Sequence, residues 1–599
     1  LKPLIASTAC LDWERRIVAG ESLVPPPLFP AEAEDALAMM RSLRIVDAPG
    51  EPTFGEVARS WVFDFAASVF GAYDATTGRR MIREFLLLIS KKNGKSTVAA
   101  AIMVTALLRN WRRSGEFYIL APTIEVANNS FFPARDMIKA DPELDDLLHL
   151  KETERTIIHR GTGALLKVVA ADAETVSGKK AIGVLFDELW LFGKRANADN
   201  MIREAMGGLV SRPEGFVIYL TTQSDEPPAG VFKSKLQYFR DVRDGKIVDP
   251  KSLGMLFEFP PAMVKSQAYL EPENFGVTNP NLGLSVDPEW IAEELVKATH
   301  AGDQARNVFL AKHLNVEIGM NLRADRWAGA DFWPQCADPT LTLESLLRRA
   351  ECVTIGIDGG GLDDLLGLAV VGREAQTKRW LVWGRAYCRI SVFRRRKAIA
   401  AELLDFVKDG DLWVYDGEGR MAPEEILVAM DEKAAPAPPP APREEGAPVE
   451  LAPDIAALVE VVGEVLASGK LAIVGIDTAG VGLIVEGLKT IGVQEEEAPG
   501  APLTGVRQGY MLMGPIKTSE RMLADQTLVH AGQPLMSWAV GNARTEAKGN
   551  AVMITKALAG VTKIDPLMAM FNGVALMSTN PEPAGGGPSV YEDRGFLVI

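Results

Sequence analysis

Short, largely apolar runs bounded by polar or turn residues recur from about residue 81: Phe85–Ile89, Phe117–Ala121, Leu165–Ala170, Ile182–Phe186 and Phe216–Leu220. Runs that do not alternate are what strands buried on both faces require, and such strands belong to parallel sheets. The stretches Ser96–Arg109 and Glu125–Lys139 between them are helix-compatible. The pattern predicts a doubly wound, mainly parallel α/β domain ending near residues 320–345.

A second pattern starts at Cys352. Cys352–Asp358, Leu366–Gly372 and Arg379–Cys388 are apolar strands separated by turns, which reads as an antiparallel meander. A helix-like stretch Arg394–Lys408 follows, then a helix Asp454–Ser468, a strand Leu471–Asp477 and a helix Val481–Ile491. A meander followed by alternating helices and strands is the order of a ribonuclease H-like fold. Upstream, residues 1–50 are Pro-bearing with one helix expected over Glu32–Leu43, an N-terminal arm or small subdomain. Ala434–Pro448 is a Pro/Ala-rich insertion with little to bury, and Asn580–Tyr591 is Pro- and Gly-rich, the start of a loose tail.

Composition narrows the classes. At 599 residues and 47% hydrophobic the chain is globular, with room for several domains, and a wholly disordered protein is excluded. The net charge of −15 argues against coating nucleic acid by bulk charge, though a local basic groove could still follow phosphates. Four scattered cysteines and five histidines form neither C-x-x-C nor H-E-x-x-H, so a metal would need oxygen ligands. The aliphatic stretch Val98–Leu108 falls short of the ~20 residues that span a bilayer. No membrane association is expected. The N-terminus lacks a basic segment followed by a long apolar core, and a cytosolic protein is expected.

Ser90-Lys91-Lys92-Asn93-Gly94-Lys95-Ser96 lies between a strand and an Ala-rich helix. There, backbone N–H groups of the turn cradle phosphates, Lys95 reaches the terminal phosphates, and Ser96 can ligate Mg²⁺. The motif is degenerate, since Ile89 stands where the phosphate-loop pattern has Gly. It is reinforced by Ala181–Glu188, an apolar strand ending in two carboxylates. Asp187 suits an Mg²⁺ ligand there, and Glu188 suits the residue that polarises the attacking water. A third strand ends in Thr221-Thr222-Gln223-Ser224, placed to sense the γ-phosphate and couple it to movement.

In the second half, Asp358 and Asp477 each close a strand, and the expected fold makes those strands neighbours. Asp565, read as an N-cap with Pro566 at the first helical position, could reach the same sheet end. Three carboxylates without His or Cys suit two Mg²⁺ or Mn²⁺ ions acting on a phosphodiester. Asp363-Asp364 is a nearby pair from which Asp364 is a further candidate ligand. The run Arg394-Arg395-Arg396-Lys397 reads first as a solvated face and second as a contact for DNA phosphates.

In order, SKKNGKS (90–96), VLFDELW (184–190), YLTTQS (219–224), TIGIDGGGLDDLLGLAVV (354–371), AIVGIDTAG (472–480) and KIDPLMAM (563–570) make the chain resemble the large terminase subunit of tailed phages over roughly residues 55–580. Ser537–Asn542 also looks like that family's nuclease domain. The resemblance implies a P-loop ATPase domain (51–335), a linker (336–350), a ribonuclease H-like nuclease domain (351–580, insertion about 434–448) and a tail (581–599). It implies ATP and Mg²⁺ in the first domain, bound by Lys91 to Ser96 and Asp187, with Glu188 catalytic and Thr221, Thr222 and Gln223 coupling. It implies two Mg²⁺ or Mn²⁺ on Asp358, Asp477 and Asp565 in the second. The implied partners are double-stranded DNA, a small terminase subunit and the portal of a procapsid. The implied assembly is a homo-oligomeric ring, built from a chain that can be monomeric in solution. The place of action is the host bacterial cytoplasm and not the mature virion. Lys91 stands where many members carry an arginine, and the adenine segment falls around Trp61 without an adjacent Gln. Two other readings are a P-loop DNA translocase or helicase with an inert ribonuclease H-like module, and a non-catalytic virion assembly protein.

Overall fold

In the computed structural model the chain divides into two compact units, Leu1–Ile318 and Gly319–Ile599. The residues described are 7–170, 181–318, 327–417, 419–431, 451–477, 482–495, 501–548, 551–554 and 563–583. The Pro-rich insertion and nearly all of the tail lie outside them. Among the described residues no helix is long and apolar enough to cross a membrane.

The first unit is built on one eight-stranded sheet: β1 (Glu84–Leu88), β2 (Glu116–Ala121), β3 (Leu148–Lys151), β4 (Thr156–His159), β5 (Leu165–Ala170), β6 (Ala181–Phe186), β7 (Phe216–Thr221) and β8 (Ser252–Leu256). The spatial order is β8-β1-β7-β6-β2-β5-β4-β3, parallel from β8 to β5 and antiparallel at the β4–β3 edge. Residues of β6 and β7 are buried throughout, as expected for strands covered on both faces. The five expected strands are present. Three more are not signalled by the pattern: β8 is short with Gly254 at its centre, and the edge strands β3 and β4 carry Lys and His among their apolar residues. Helix α1 (Lys95–Leu108) follows β1, and helix α2 (Asp303–Leu314) comes near the end of the unit. The N-terminal segment packs onto this unit: Arg243 lies 3.7 Å over the Trp13 ring, and Arg109 bonds Glu32 at 2.7 Å.

The second unit centres on β9 (Ala350–Gly359), β10 (Leu366–Glu374), β11 (Trp380–Arg389), β12 (Leu412–Tyr415), β13 (Leu471–Asp477), β14 (Val493–Glu495) and β15 (Ala501–Val506). Its order is β12-β11-β10-β9-β13-β15-β14, with β9, β10 and β11 antiparallel and β13 and β15 parallel to β9. The three-stranded meander followed by added parallel strands is the ribonuclease H-like arrangement. Helix α3 (Asp565–Met577) packs across β9 and is almost wholly buried.

Three expectations change here. The stretch Arg394–Lys408 is not one helix: it forms Ile390–Arg395 and Ala400–Lys408, broken at Arg396, whose φ of −110° and ψ of 48° leave the helical region. Residues 336–350 are not a linker, because Cys336 is buried and helix Leu343–Arg349 inserts Leu346 fully into the core of the second unit. Asp565 is not an N-cap: Ile564 holds that position, Asp565 is the first helical residue, and Pro566 is the second.

Close approach of α3 to β9 depends on glycine. A Cβ built on Gly356 would lie 1.9 Å from Ala569 O and 2.4 Å from Gly573 N, so any side chain there must push the helix away. We expect Gly356→Ala to cost ~3 kcal/mol or more, the upper end of overpacking penalties. Urea denaturation of the variant checks the stability, and an unchanged midpoint would contradict this packing account.

Candidate functional site

The first site forms where β1, β6 and β7 end. Gly94 adopts φ 74°, the left-handed turn that lets the phosphate loop enter α1 with Lys95 as its first residue. Lys95 is 8% exposed, and its Nζ lies 2.6 Å from Glu188 Oε1 and 3.7 Å from Asp187 Oδ1. Ser130 Oγ donates to Asp187 Oδ2 at 2.9 Å, and Trp190 Nε1 donates to Glu188 Oε2 at 2.7 Å. Glu188 itself is left-handed, with φ 57°, an unfavourable backbone for a residue with a side chain. The strain aims its carboxylate at Lys95.

Burial pushes the Asp187 carboxyl above the usual range, with the Lys95 charge only partly opposing it. Glu188 feels the same burial penalty, but its direct contact with Lys95 outweighs it and holds the carboxyl low. Burial likewise works against the Lys95 ammonium, and the two carboxylates more than reverse that. The contact with Lys95 thus favours the carboxylate form of Glu188.

The phosphate loop is braced by a segment that sequence reasoning missed. Asn93 Nδ2 donates to Asn279 Oδ1 at 2.9 Å, and Asn281 N donates to Asn93 Oδ1 at 3.0 Å. Asn281 Nδ2 returns a bond to Asn93 O, and Asn281 Oδ1 accepts from Trp61 Nε1 at 2.9 Å. Ser285 Oγ donates to Lys92 O. The Thr-Asn-Pro-Asn-Leu-Gly run at 278–283 reads as an ordinary turn, and only the fold brings it under the loop. Trp61, taken from the sequence as the adenine segment, lines a cavity of about 320 Å³ with Phe257, Asn279 and Pro280. Asn281→Ala would orphan Trp61 Nε1 and Asn93 O. At ~1–3 kcal/mol per buried orphan we expect ~2–4 kcal/mol of lost stability and weaker nucleotide binding. A thermal melt with and without ATP checks both, and a melt matching wild type would count against the brace.

Thr221, Thr222, Gln223 and Ser224 are all buried. Thr221 Oγ1 accepts from Trp190 N at 3.1 Å, which ties the end of β7 to the turn after β6. Gln223 N donates to Asn315 Oδ1. Neither Oε1 nor Nε2 of the Gln223 amide is hydrogen-bonded among the described residues. A buried amide left so is costly, and it suits a group that takes a partner only when ligand is present. Lys91 and Lys92 flank the loop; Lys91 N donates to Lys312 O at 2.8 Å. Ser96 follows Lys95 in the first turn of α1.

The second site lies at one end of the sheet in the second unit. β9 and β13 run parallel with Ile357 opposite Ile476, so Asp358 and Asp477 leave the sheet side by side. A Cβ built on Gly359 would stand 3.3 Å from Asp565 Oδ1, which brings the start of α3 against the same strand end. Asp358 is 1% exposed and Asp565 fully buried. Asn572 Nδ2 donates to Ile357 O at 2.9 Å and Gln508 Nε2 to Asn572 Oδ1 at 3.0 Å, fixing the strand end from two sides. Neither was foreseen. Three carboxylates without sulfur or imidazole fit hard divalent cations. Among the described residues, however, no three His, Cys, Asp or Glu groups stand at metal-holding spacing.

The adjacent pair of aspartates is tied to basic residues. Asp364 accepts from Lys563 Nζ, and Asp363 takes Arg396 bidentately at 3.0 and 2.7 Å. Of the basic run, Arg396 thus serves a local ion pair, and Arg394 Nε donates to Ala429 O.

The family model for the terminase large subunit ATPase domain matches residues 61–240. The terminase large subunit of Enterobacteria phage HK97 is 21% identical over 523 residues, 86% of this chain and 90% of the relative. The crystal structure of the HK97 large terminase covers 91% of this chain and 99% of its own at 18% identity, with a TM-score of 0.45. The large terminase of a thermophilic bacteriophage in complex with ADP covers 84% and 96% at 11% identity, with a TM-score of 0.29. Residues 61–240, which hold Lys95, Asp187, Glu188 and Gln223, match the terminase large subunit ATPase domain, and the chain is similar along most of its length to the large terminase subunit of a tailed phage.

Proposed function

We propose that the chain is the motor and nuclease of phage DNA packaging: it hydrolyses ATP to drive double-stranded DNA into a procapsid and cuts the concatemer. The observation that carries the reading is the grouping of Lys95, where the phosphate loop after β1 enters α1, with Asp187 and Glu188 at the end of β6, two strands away in the same parallel sheet. When ATP enters, its phosphates compete with Glu188 for the Lys95 ammonium. Glu188 then turns to the attacking water, orients it and accepts its proton, while Trp190 Nε1 keeps hold of the second carboxylate oxygen. Loop N–H groups and Lys95 stabilise charge on the phosphates. Ser96 and Asp187 would hold Mg²⁺, which neutralises charge on the phosphate oxygens. Gln223 passes the state of the γ-phosphate to the rest of the unit.

In the second unit this reading assigns cutting to Asp358 and Asp477, at the ends of neighbouring parallel strands, with Asp565 at the start of α3. Two Mg²⁺ or Mn²⁺ ions held there would stabilise the attacking and leaving oxygens of the phosphodiester. Asp364, paired with Lys563, shapes the edge of that site. The partners of this reading are double-stranded DNA, a small terminase subunit and the portal, with the chain acting as a ring in the host cytoplasm.

The test uses the purified full chain: phosphate release from ATP with Mg²⁺, and nicking of supercoiled plasmid with Mn²⁺. Both activities are expected. Absence of both would overturn the reading in favour of a virion assembly protein. ATP turnover without nicking would favour a translocase with an inert second unit.

A further inference from the structure

The end of one helix touches every motif of the ATP site. Helix α2 closes with Lys312, His313 and Leu314 before Asn315. Lys312 is 4% exposed. Its Nζ lies 2.9 Å from the centroid of the Trp190 ring and donates to Gln223 O at 2.8 Å, while its carbonyl accepts from Lys91 N at 2.8 Å. The Trp190 indole is the group whose Nε1 holds Glu188 Oε2. One buried lysine thus contacts the phosphate loop, the residue that orients the base, and the coupling segment. Asn315 reinforces the tie, accepting from Gln223 N at 3.1 Å and donating to Phe257 O at 2.9 Å.

Burying an ammonium is costly unless it is paired. Among the described residues no carboxylate lies within ion-pair distance of Lys312, and its contacts are an aromatic face and a carbonyl. Burial accordingly pushes the ammonium down to about 7, with Asp225 and Glu188 opposing the drop and Lys91 and Lys194 adding to it. An apolar residue of similar length would fill the space without that penalty. The charge serves something other than packing.

We propose that Lys312 is a positioning residue for ATP hydrolysis: through the Trp190 ring and the Gln223 carbonyl it fixes the Glu188 carboxylate and the coupling segment relative to the phosphate loop. The inference rests on the reading of this site as an ATPase. It makes the end of α2 part of the hydrolytic apparatus, so the position of that helix sets the turnover rate without contacting nucleotide.

The experiment compares the full chain with Lys312→Met, Lys312→Arg, Trp190→Phe and the Lys312→Met/Trp190→Phe double variant. Steady-state ATP turnover, affinity for a fluorescent ATP analogue and thermal midpoint are measured for each. Lys312→Met should lower kcat by about tenfold with KM and analogue affinity within about twofold, because only the orientation of the base is lost. Lys312→Arg should recover most of the rate. The double variant should be no slower than the worse single variant, since both changes break one chain of contacts. Multiplying losses in the double variant would overturn the inference, as would a Lys312→Met rate within twofold of wild type. If Lys312→Met fails to fold, Trp190→Phe alone decides: a normal kcat sinks the proposal. A wild-type chain without ATPase would sink the functional reading and this inference with it.

Discussion

Glu188→Gln should lower ATP turnover by about a thousandfold while nucleotide still binds. The amide keeps the shape and can still meet Trp190, but it cannot accept a proton from water, and general-base catalysis accounts for ~10²–10⁴ in rate. The same change should shift stability in a way a simple loss of function would not. Lys95 is buried and paired with Glu188 at 2.6 Å. Removing one partner of a buried pair costs ~3–5 kcal/mol, moderated here because Asp187 stays 3.7 Å away. The variant should therefore melt lower than wild type without ATP and gain more from adding it, because phosphates then supply the missing negative charge. Turnover within tenfold of wild type would remove Glu188 from the catalytic role.

Asp565→Asn should abolish metal-dependent cleavage and leave folding nearly intact. Asn is isosteric, and the change takes no cap from the helix, since Ile564 occupies the cap position. Its thermal midpoint in metal-free buffer should stay close to wild type. Nicking of supercoiled plasmid with Mn²⁺ should collapse by orders of magnitude, as for Asp358→Asn and Asp477→Asn, because fewer oxygens remain to hold two ions. Near wild-type nicking by Asp565→Asn would reduce the assignment to a pair of aspartates.

What the sequence made legible was whatever depends on local pattern. Buried parallel strands announce themselves as continuous apolar runs, and residues at strand ends next to turns announce chemistry. Lys95, Asp187 and Glu188 were therefore readable before the fold was known, and so was the pairing of Asp358 with Asp477, which follows from neighbouring parallel strands. Contacts made across long separations were not readable. Asn281 reaches Asn93 across 188 positions and Lys312 reaches Gln223 across 89; nothing in the local composition of either segment marks it. The break at Arg396 was hidden because helical periodicity continues through it, while its bidentate bond to Asp363 is a tertiary demand. The role of Asp565 was half legible: the Asp-Pro pair correctly signalled a helix start, but the cap lies one residue earlier.

The seam that packs α3 onto β9 and β10 limits how the second unit can change. At Gly356 and Gly573 the helix meets β9 main chain to main chain, and at Gly367, on the neighbouring β10, the contact is with the Asp565 carbonyl, 2.7 Å from where a Cβ would stand. Distances set by backbone on backbone do not depend on the size of surrounding side chains. Met568, Met570 and Phe571 can drift to other apolar residues over generations without moving the carboxylate they flank. The surrounding core is free to diverge in sequence, and the glycines are the gauge blocks that keep Asp565 in register with the strand end that carries Asp358.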